Sequence, residues 1–150
     1  QRQMCIRDRS LIDDNIERLG ISNIDVQVYN ALDKDDSLVG KADIVIADLP
    51  CSGLGIMGRK PDIRYNISPE KISDIIRLQR DILEVVSMYV KPGGTLVYST
   101  CTINRSENED NADWICTSLG FTRDGEYVQM LPSPDKDNDG FFVARLIKNS

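Results

Sequence analysis

The sequence predicts an α/β fold built on an open sheet. Segments of helical and of strand period alternate along the chain. One run, Asp43 to Asp48 (DIVIAD), is almost continuously branched and apolar and is closed by Pro50. The last quarter reads as two strands flanking a polar turn.

Each element has its own local signal. Residues 1–9 show no periodicity that continues into the next segment and do not begin with Met, so they are read as a non-native or truncated junction. From Ser10 the pattern is helical, with Leu11, Ile12, Ile16 and Leu19 three or four apart and Gly20 ending the run. The alternation Ile24-Asp25-Val26-Gln27-Val28-Tyr29 reads as a strand. Asp43 to Asp48 reads as a strand buried on both faces. A loop rich in Gly and Pro extends from there to Ile67.

Ser68-Pro69-Glu70 opens a long helix, with Ser as N-cap, Pro in the first helical position and an acid in the first turn. Ile72, Ile75, Ile76, Gln79, Ile82, Leu83 and Val86 form its stripe. Lys91-Pro92-Gly93-Gly94 stops it, and Thr95 to Ser99 is the next strand. Ser106-Glu107-Asn108-Glu109 reads as a capping box for a helix through Trp114 to Leu119, closed by Gly120. The final strands lie near Glu126–Leu131 and Phe141–Ile147.

Composition narrows the chemistry. The 150 residues, 41% hydrophobic and 28% charged, suit one soluble domain with a core. No apolar run approaches the roughly 18 residues needed to cross a bilayer, and no secretion signal opens the chain, so a cytoplasmic location is expected. A net charge of −6 disfavours a stand-alone nucleic-acid binder. Yet Arg59, Lys60, Arg64, Lys71, Arg77 and Arg80 gather in the middle and allow a local basic face. Histidine is absent, which removes Ser-His-Asp and Cys-His catalysis. The four cysteines form no C-x-x-C pair, so neither a structural zinc site nor any other metal site is expected.

Two strands end in unusual turns, Asp48-Leu49-Pro50-Cys51-Ser52-Gly53 and Ser99-Thr100-Cys101-Thr102. Ligands of parallel sheets gather outside the carboxyl ends of the strands. If these strands are neighbours, about 4.8 Å apart, both cysteines and Asp48 overlook one crevice. A lone cysteine is otherwise a small buried hydrophobe, which is the reading for Cys5 and Cys116. For Cys51 and Cys101 the residues alone leave both readings open.

The first turn resembles the D-x-P-C-S-G/A signature of RNA cytosine-5 methyltransferases, and the second is similar to their x-T-C-S/T signature. Arg59-Lys60-Pro61-Asp62-Ile63-Arg64-Tyr65, the Gln79 helix, Lys91 to Tyr98, Glu107-Asn108-Glu109 and Asp139-Gly140-Phe141-Phe142 come in matching order. The likeness runs from about Leu11 to Lys148 and is nearest to bacterial 16S ribosomal RNA enzymes.

That resemblance implies a Rossmann-like S-adenosylmethionine-dependent methyltransferase sheet ending in an antiparallel hairpin. Residues 10–150 would be the C-terminal part of the catalytic domain. It implies a thiolate of Cys101 adding to cytosine C6, so that C5 becomes nucleophilic toward the cofactor methyl. Cys51 would assist loss of the C5 proton and release. Asp48, its pKa raised by a buried strand, would hydrogen-bond cytosine N3. Asp48, Pro50 and Asn30 are the cofactor candidates, Asn30 standing where the family usually has Asp near adenine. Arg59, Lys60 and Arg64 are candidates for RNA phosphates, and ribosomal RNA is the implied partner, with no obligate protein partner evident.

The family's glycine-rich cofactor loop and the acid that comes after its second strand have no counterpart. The sheet is therefore expected to be incomplete, its first two strands missing. The competing expectation is a catalytically inactive fragment, at most a weak RNA-binding or partner module. A thiol redox or phosphatase-like enzyme would need C-x-x-C or C-x5-R, and neither occurs.

Overall fold

A computed structural model describes residues 2–133, 135 and 137–150, with side chains from Arg9 onward. Gln1, part of the expected junction, lies outside the described residues. The chain divides into one unit up to Asp33 and a second from Lys34 to Ser150.

In the first unit, helix α1 spans Arg2–Leu19 and so crosses the expected boundary at Ser10. Nothing between residues 2 and 19 is Gly or Pro, so no local breaker stops it there. Gly20, at φ +65°, ends it as expected. The Gly20 and Ile21 amides donate back to Glu17 O and Ile16 O, the Schellman pattern. The expected strand at Ile24–Tyr29 does not form. Ile24, Val28 and Tyr29 are about half exposed. A strand exists only through its neighbours, and this unit has no other strand among its described residues.

The second unit holds the sheet. Its elements are β1 (Ala42–Asp48), a 3-10 turn (Leu54–Ile56), α2 (Ile63–Asn66), α3 (Pro69–Tyr89), β2 (Val90–Thr100), α4 (Glu109–Ser118), β3 (Phe121–Arg123), β4 (Val128–Met130) and β5 (Phe141–Lys148). The strand order is β1-β2-β5-β3, with β4 also paired to β5. Strands β1 and β2 run parallel, in register from Ile44 opposite Thr95 to Asp48 opposite Ser99, with α3 as the crossover. β5 returns antiparallel beside β2, and β3 and β4 share its other side at opposite ends. The terminal hairpin is present, joined by a third short strand, β3, that carries no signal of its own length.

Leu96, Tyr98 and Thr100 on β2 face Leu146, Ala144 and Phe142 on β5, and all six are fully buried. α3 packs on β1 and β2, while α4 packs on β3 and β5. Each large apolar side chain in this layer contributes roughly 1.5–3 kcal/mol. α3 starts as its residues dictate: Ser68 Oγ accepts the Lys71 amide at 3.3 Å, and Pro69 occupies the first turn. Its carboxyl end is capped from afar, the Lys148 ammonium donating to Ser87 O and Val90 O at 2.9 Å each.

Two further expectations are corrected. β1 is an edge strand, not one buried on both faces: Ala47 is covered on the face where α3 packs, but Ile44 and Ile46 point to the opposite face and are 62% and 72% exposed. The capping box at Ser106–Glu109 does not form either. α4 begins at Glu109, and Asn108 makes no side-chain cap bond. Glu107 and Asn108 are fully buried and turn inward, where they bond residues of the neighbouring loops and strands.

Candidate active site

The parallel register of β1 and β2 brings two turns to the same end of the sheet. Asp48 lies opposite Ser99, so the chain leaves each strand only a few residues before a cysteine. The Sγ atoms of Cys51 and Cys101 are 3.2 Å apart, both thiols are free, and both residues are half-buried. Ser99 donates its hydroxyl to Asp48 Oδ1 at 3.0 Å, and the Leu49 amide donates to Ser99 O at 3.2 Å. The two cysteines that the sequence singled out thus meet, with Asp48 beside them.

Glycines let the backbones approach. Gly53 turns the chain at φ +71°, a conformation that L side chains avoid. Beyond it, Gly55 donates its amide to Cys101 O at 3.1 Å and accepts from the Gly140 amide at 2.8 Å. A Cβ on Gly55 would sit 2.5 Å from Gly140 O and 2.7 Å from Cys101 O. Three backbones remote in sequence therefore cross at one point behind the thiols.

Behind this crossing lies a buried polar network that the sequence did not announce. Glu107 is fully buried. Its Oε2 accepts the Ser52 amide at 2.8 Å and Gln79 Nε2–H at 3.3 Å, and its Oε1 accepts the Ser52 hydroxyl at 2.6 Å and Asn104 Nδ2–H at 2.9 Å. Ser52's one hydroxyl proton is committed to Glu107, so Thr102 is the donor in the 2.8 Å contact between the two hydroxyls. Gln79 also donates to Pro50 O and accepts from Asn111. Asn108 accepts from Thr100 Oγ1 and donates to Thr102 O and Gln129 Oε1. The Tyr98 hydroxyl donates to Glu107 O, and burial pushes its ionisation upward. By spacing Gln79 belongs to the stripe of α3, and Glu107 lies inside the capping-box pattern Ser106–Glu109. A Gln within such a stripe was the available signal.

Burial, and then the neighbouring Cys101, push the Cys51 thiol up to about 12 from its ordinary 9.0. Cys51 is therefore held as a protonated thiol around neutral pH. Asp48 is exposed at the end of the edge strand, so the buried environment expected for it is not provided by β1. Pro50 is exposed as well. Asn30 lies in the first unit, where its Oδ1 accepts the Leu32 amide at 3.3 Å in a local turn.

Arg59, Lys60 and Arg64 are all exposed. Arg59 pairs with Asp139 at 3.2 Å, whereas Lys60 and Arg64 form no ion pair among the described residues. Tyr65, next along the chain, is 84% exposed. Cys116 packs beside the core as expected. Among the described residues no group of three or more His, Cys, Asp or Glu could hold a metal ion, and no helix is long and apolar enough to cross a membrane.

The sequence profile of the family described as 16S rRNA methyltransferase RsmB/F matches residues 6–147. Ribosomal RNA small subunit methyltransferase F of Salmonella paratyphi A is 37% identical over 91% of this chain and 32% of its own length. The chain thus spans about a third of the length of the curated relatives it matches. NSun6 from Pyrococcus horikoshii, solved with SFG, superimposes with a TM-score of 0.73 at 26% identity, over 92% of this chain and 38% of that one. A methyltransferase homologue from the same organism gives 0.77 at 24% identity, over 95% and 50%, and shows the same fold.

Proposed function

The chain belongs to the 16S rRNA methyltransferase RsmB/F family, and from that membership we propose that, within the complete protein, it supplies the thiol chemistry for methylating C5 of a cytosine in RNA, 16S ribosomal RNA above all. One observation carries the reading: two free thiols 3.2 Å apart, at the carboxyl ends of adjacent parallel strands. C5 of cytosine is too weak a nucleophile to take a methyl group unaided. Addition of the Cys101 thiolate to C6 makes C5 enamine-like. S-adenosylmethionine, when bound, supplies an electrophilic methyl group.

Cys51 is the partner for release. Held as a thiol, it hydrogen-bonds the Cys101 sulfur and eases its departure as a thiolate: the C5 proton passes to solvent water, and its bonding pair restores the C5=C6 double bond as the S–C6 bond breaks. Asp48, an exposed side chain whose Oδ1 accepts the Ser99 hydroxyl, suits a hydrogen-bond donor of the base or of the hydroxyl-bearing cofactor. Pro50 offers an apolar flank beside it. The donor set thus fits S-adenosylmethionine, and the solved NSun6 structure with SFG, an analogue of it, supports that cofactor. Lys60 and Arg64 are suited to RNA phosphates, with Arg59 joining once Asp139 yields it. Tyr65 presents a ring on which a base can stack.

The test uses the full-length protein. Cys101→Ala abolishes methylation, a loss of at least about 10³-fold, whereas Cys51→Ala accumulates a covalent RNA adduct on a denaturing gel. Methylation by the Cys101 variant, or an adduct that survives without Cys101, refutes the assignment.

A further inference from the structure

Among the described residues no cation pairs with the Glu107 carboxylate. Arg80, which lies near this network, bonds Asn111 Oδ1 instead. A buried carboxylate held only by neutral donors is costly to desolvate, and it persists only where its lone pairs are met. Four donors meet them here. The origin of those donors is informative. Ser52 comes directly after Cys51 and gives two of them, its amide and its hydroxyl. Asn104 lies in the loop after Cys101 and gives the third, and Gln79 of α3, which also holds Pro50 O, gives the fourth. Thr102, directly after Cys101, reaches the same carboxylate through the Ser52 hydroxyl.

We infer that Glu107 is a positioning residue that sets the separation of the two thiols by tying the Cys51 turn and the Cys101 loop to one carboxylate. This rests on the reading of Cys51 and Cys101 as a working pair, but it concerns their geometry and can be tested apart from methylation. Two properties of the carboxylate matter. Every lone pair accepts, so every donor around it is aimed inward and no rearrangement satisfies them with an amide. Its reach also spans both turns, so shortening it weakens, and removing it breaks, the tie between the segments downstream of the two cysteines.

The experiment measures proximity directly. Diamide takes two electrons and two protons from a pair of thiols, joins them as a disulfide and is itself reduced to the hydrazine. The rate at which it joins Cys51 to Cys101 in this 150-residue chain, read by peptide mapping, reports how often the sulfurs meet. In Glu107→Gln, which keeps the size but replaces an acceptor with a donor, the rate falls on the order of tenfold. Glu107→Asp, shorter but still all acceptor, recovers part of it. Should the Gln variant fail to fold by circular dichroism, Ser52→Ala, which removes one donor from the outside, still slows joining several-fold. Lys148→Ala, which removes the distant cap on α3, controls for general loosening and leaves the rate unchanged.

A folded Glu107→Gln or Ser52→Ala chain that cross-links at the wild-type rate overturns the inference. So does a Lys148→Ala chain slowed as much as they are. In the full-length enzyme the same Gln variant lowers kcat with KM for RNA unchanged. If Cys101→Ala proved fully active while cross-linking still depended on Glu107, the functional reading would fall and the positioning role would stand.

Discussion

The two strands that carry the cysteines differ in what surrounds them. β2 has β1 on one side and β5 on the other, and Leu96 and Tyr98 are fully buried. β1 has β2 alone among the described residues, and Ile44 and Ile46 stand in solvent. By composition β1 is the more continuously branched and apolar of the two, since β2 also holds Lys91, Pro92, Gly93 and Gly94. Burial is therefore a property of neighbours, not of the run itself. The turns reverse the contrast. The turn after the exposed strand is the one in which Ser52 is buried and bound twice by Glu107. Order at the thiols comes from the polar network behind them and owes little to how deeply each strand lies.

This comparison can be broken most forcefully at β2. Leu96→Ala opens a cavity in a fully buried layer and lowers stability by about 2–5 kcal/mol, measured by urea unfolding. A loss below about 1 kcal/mol would mean that β2 is no more a core strand than β1.

A second, intermediate effect is read by pH. Cys51 ionises near 12 when folded and near 9.0 otherwise, so the folded state keeps the proton that the unfolded state gives up. Its contribution is fully present below about pH 9 and is lost as pH rises from there toward about 12. Cys51→Ala removes that part of the alkaline fall, as seen in denaturant midpoints collected across this range. An unchanged alkaline limb would show that the turn is as open as the strand before it. The smallest effect belongs to β1 itself. Ile46→Thr, on the 72% exposed position, changes the urea midpoint by no more than about 0.5 kcal/mol equivalent, and a loss comparable to that of Leu96→Ala would show a hidden partner for this face.

What could be read in the sequence was what is local. Ser68 and Pro69 announce α3 through cap chemistry that needs no distant partner, and Gly20 closes α1 for the same reason. The segment Ile24–Tyr29 has the alternation of a strand but no neighbouring strand among the described residues of its unit, so pattern and structure part. Phe121–Arg123 is a strand only because β5 lies beside it, and three residues carry no period. The same division holds at the site. Cys51, Cys101 and Asp48 were legible through ordered signatures. Glu107 and Asn108 satisfied a helix-start pattern in sequence, yet their side chains serve groups up to 55 residues away. No local rule separates a polar residue that caps a helix from one that is drawn into the interior.

The crossing of Gly55, Cys101 and Gly140 also sets a timetable. The bond from the Gly140 amide to Gly55 O joins the two ends of a long stretch of sequence, and Gly55 in turn holds Cys101 O. During synthesis the two cysteines are made long before the residue that locks the backbone behind them. Until Gly140 has emerged, Gly55 is bound from one side alone. The pair is completed only once Gly140 and the strand that follows it have taken their place, so a reactive dithiol reaches its working form well after both of its cysteines have been made.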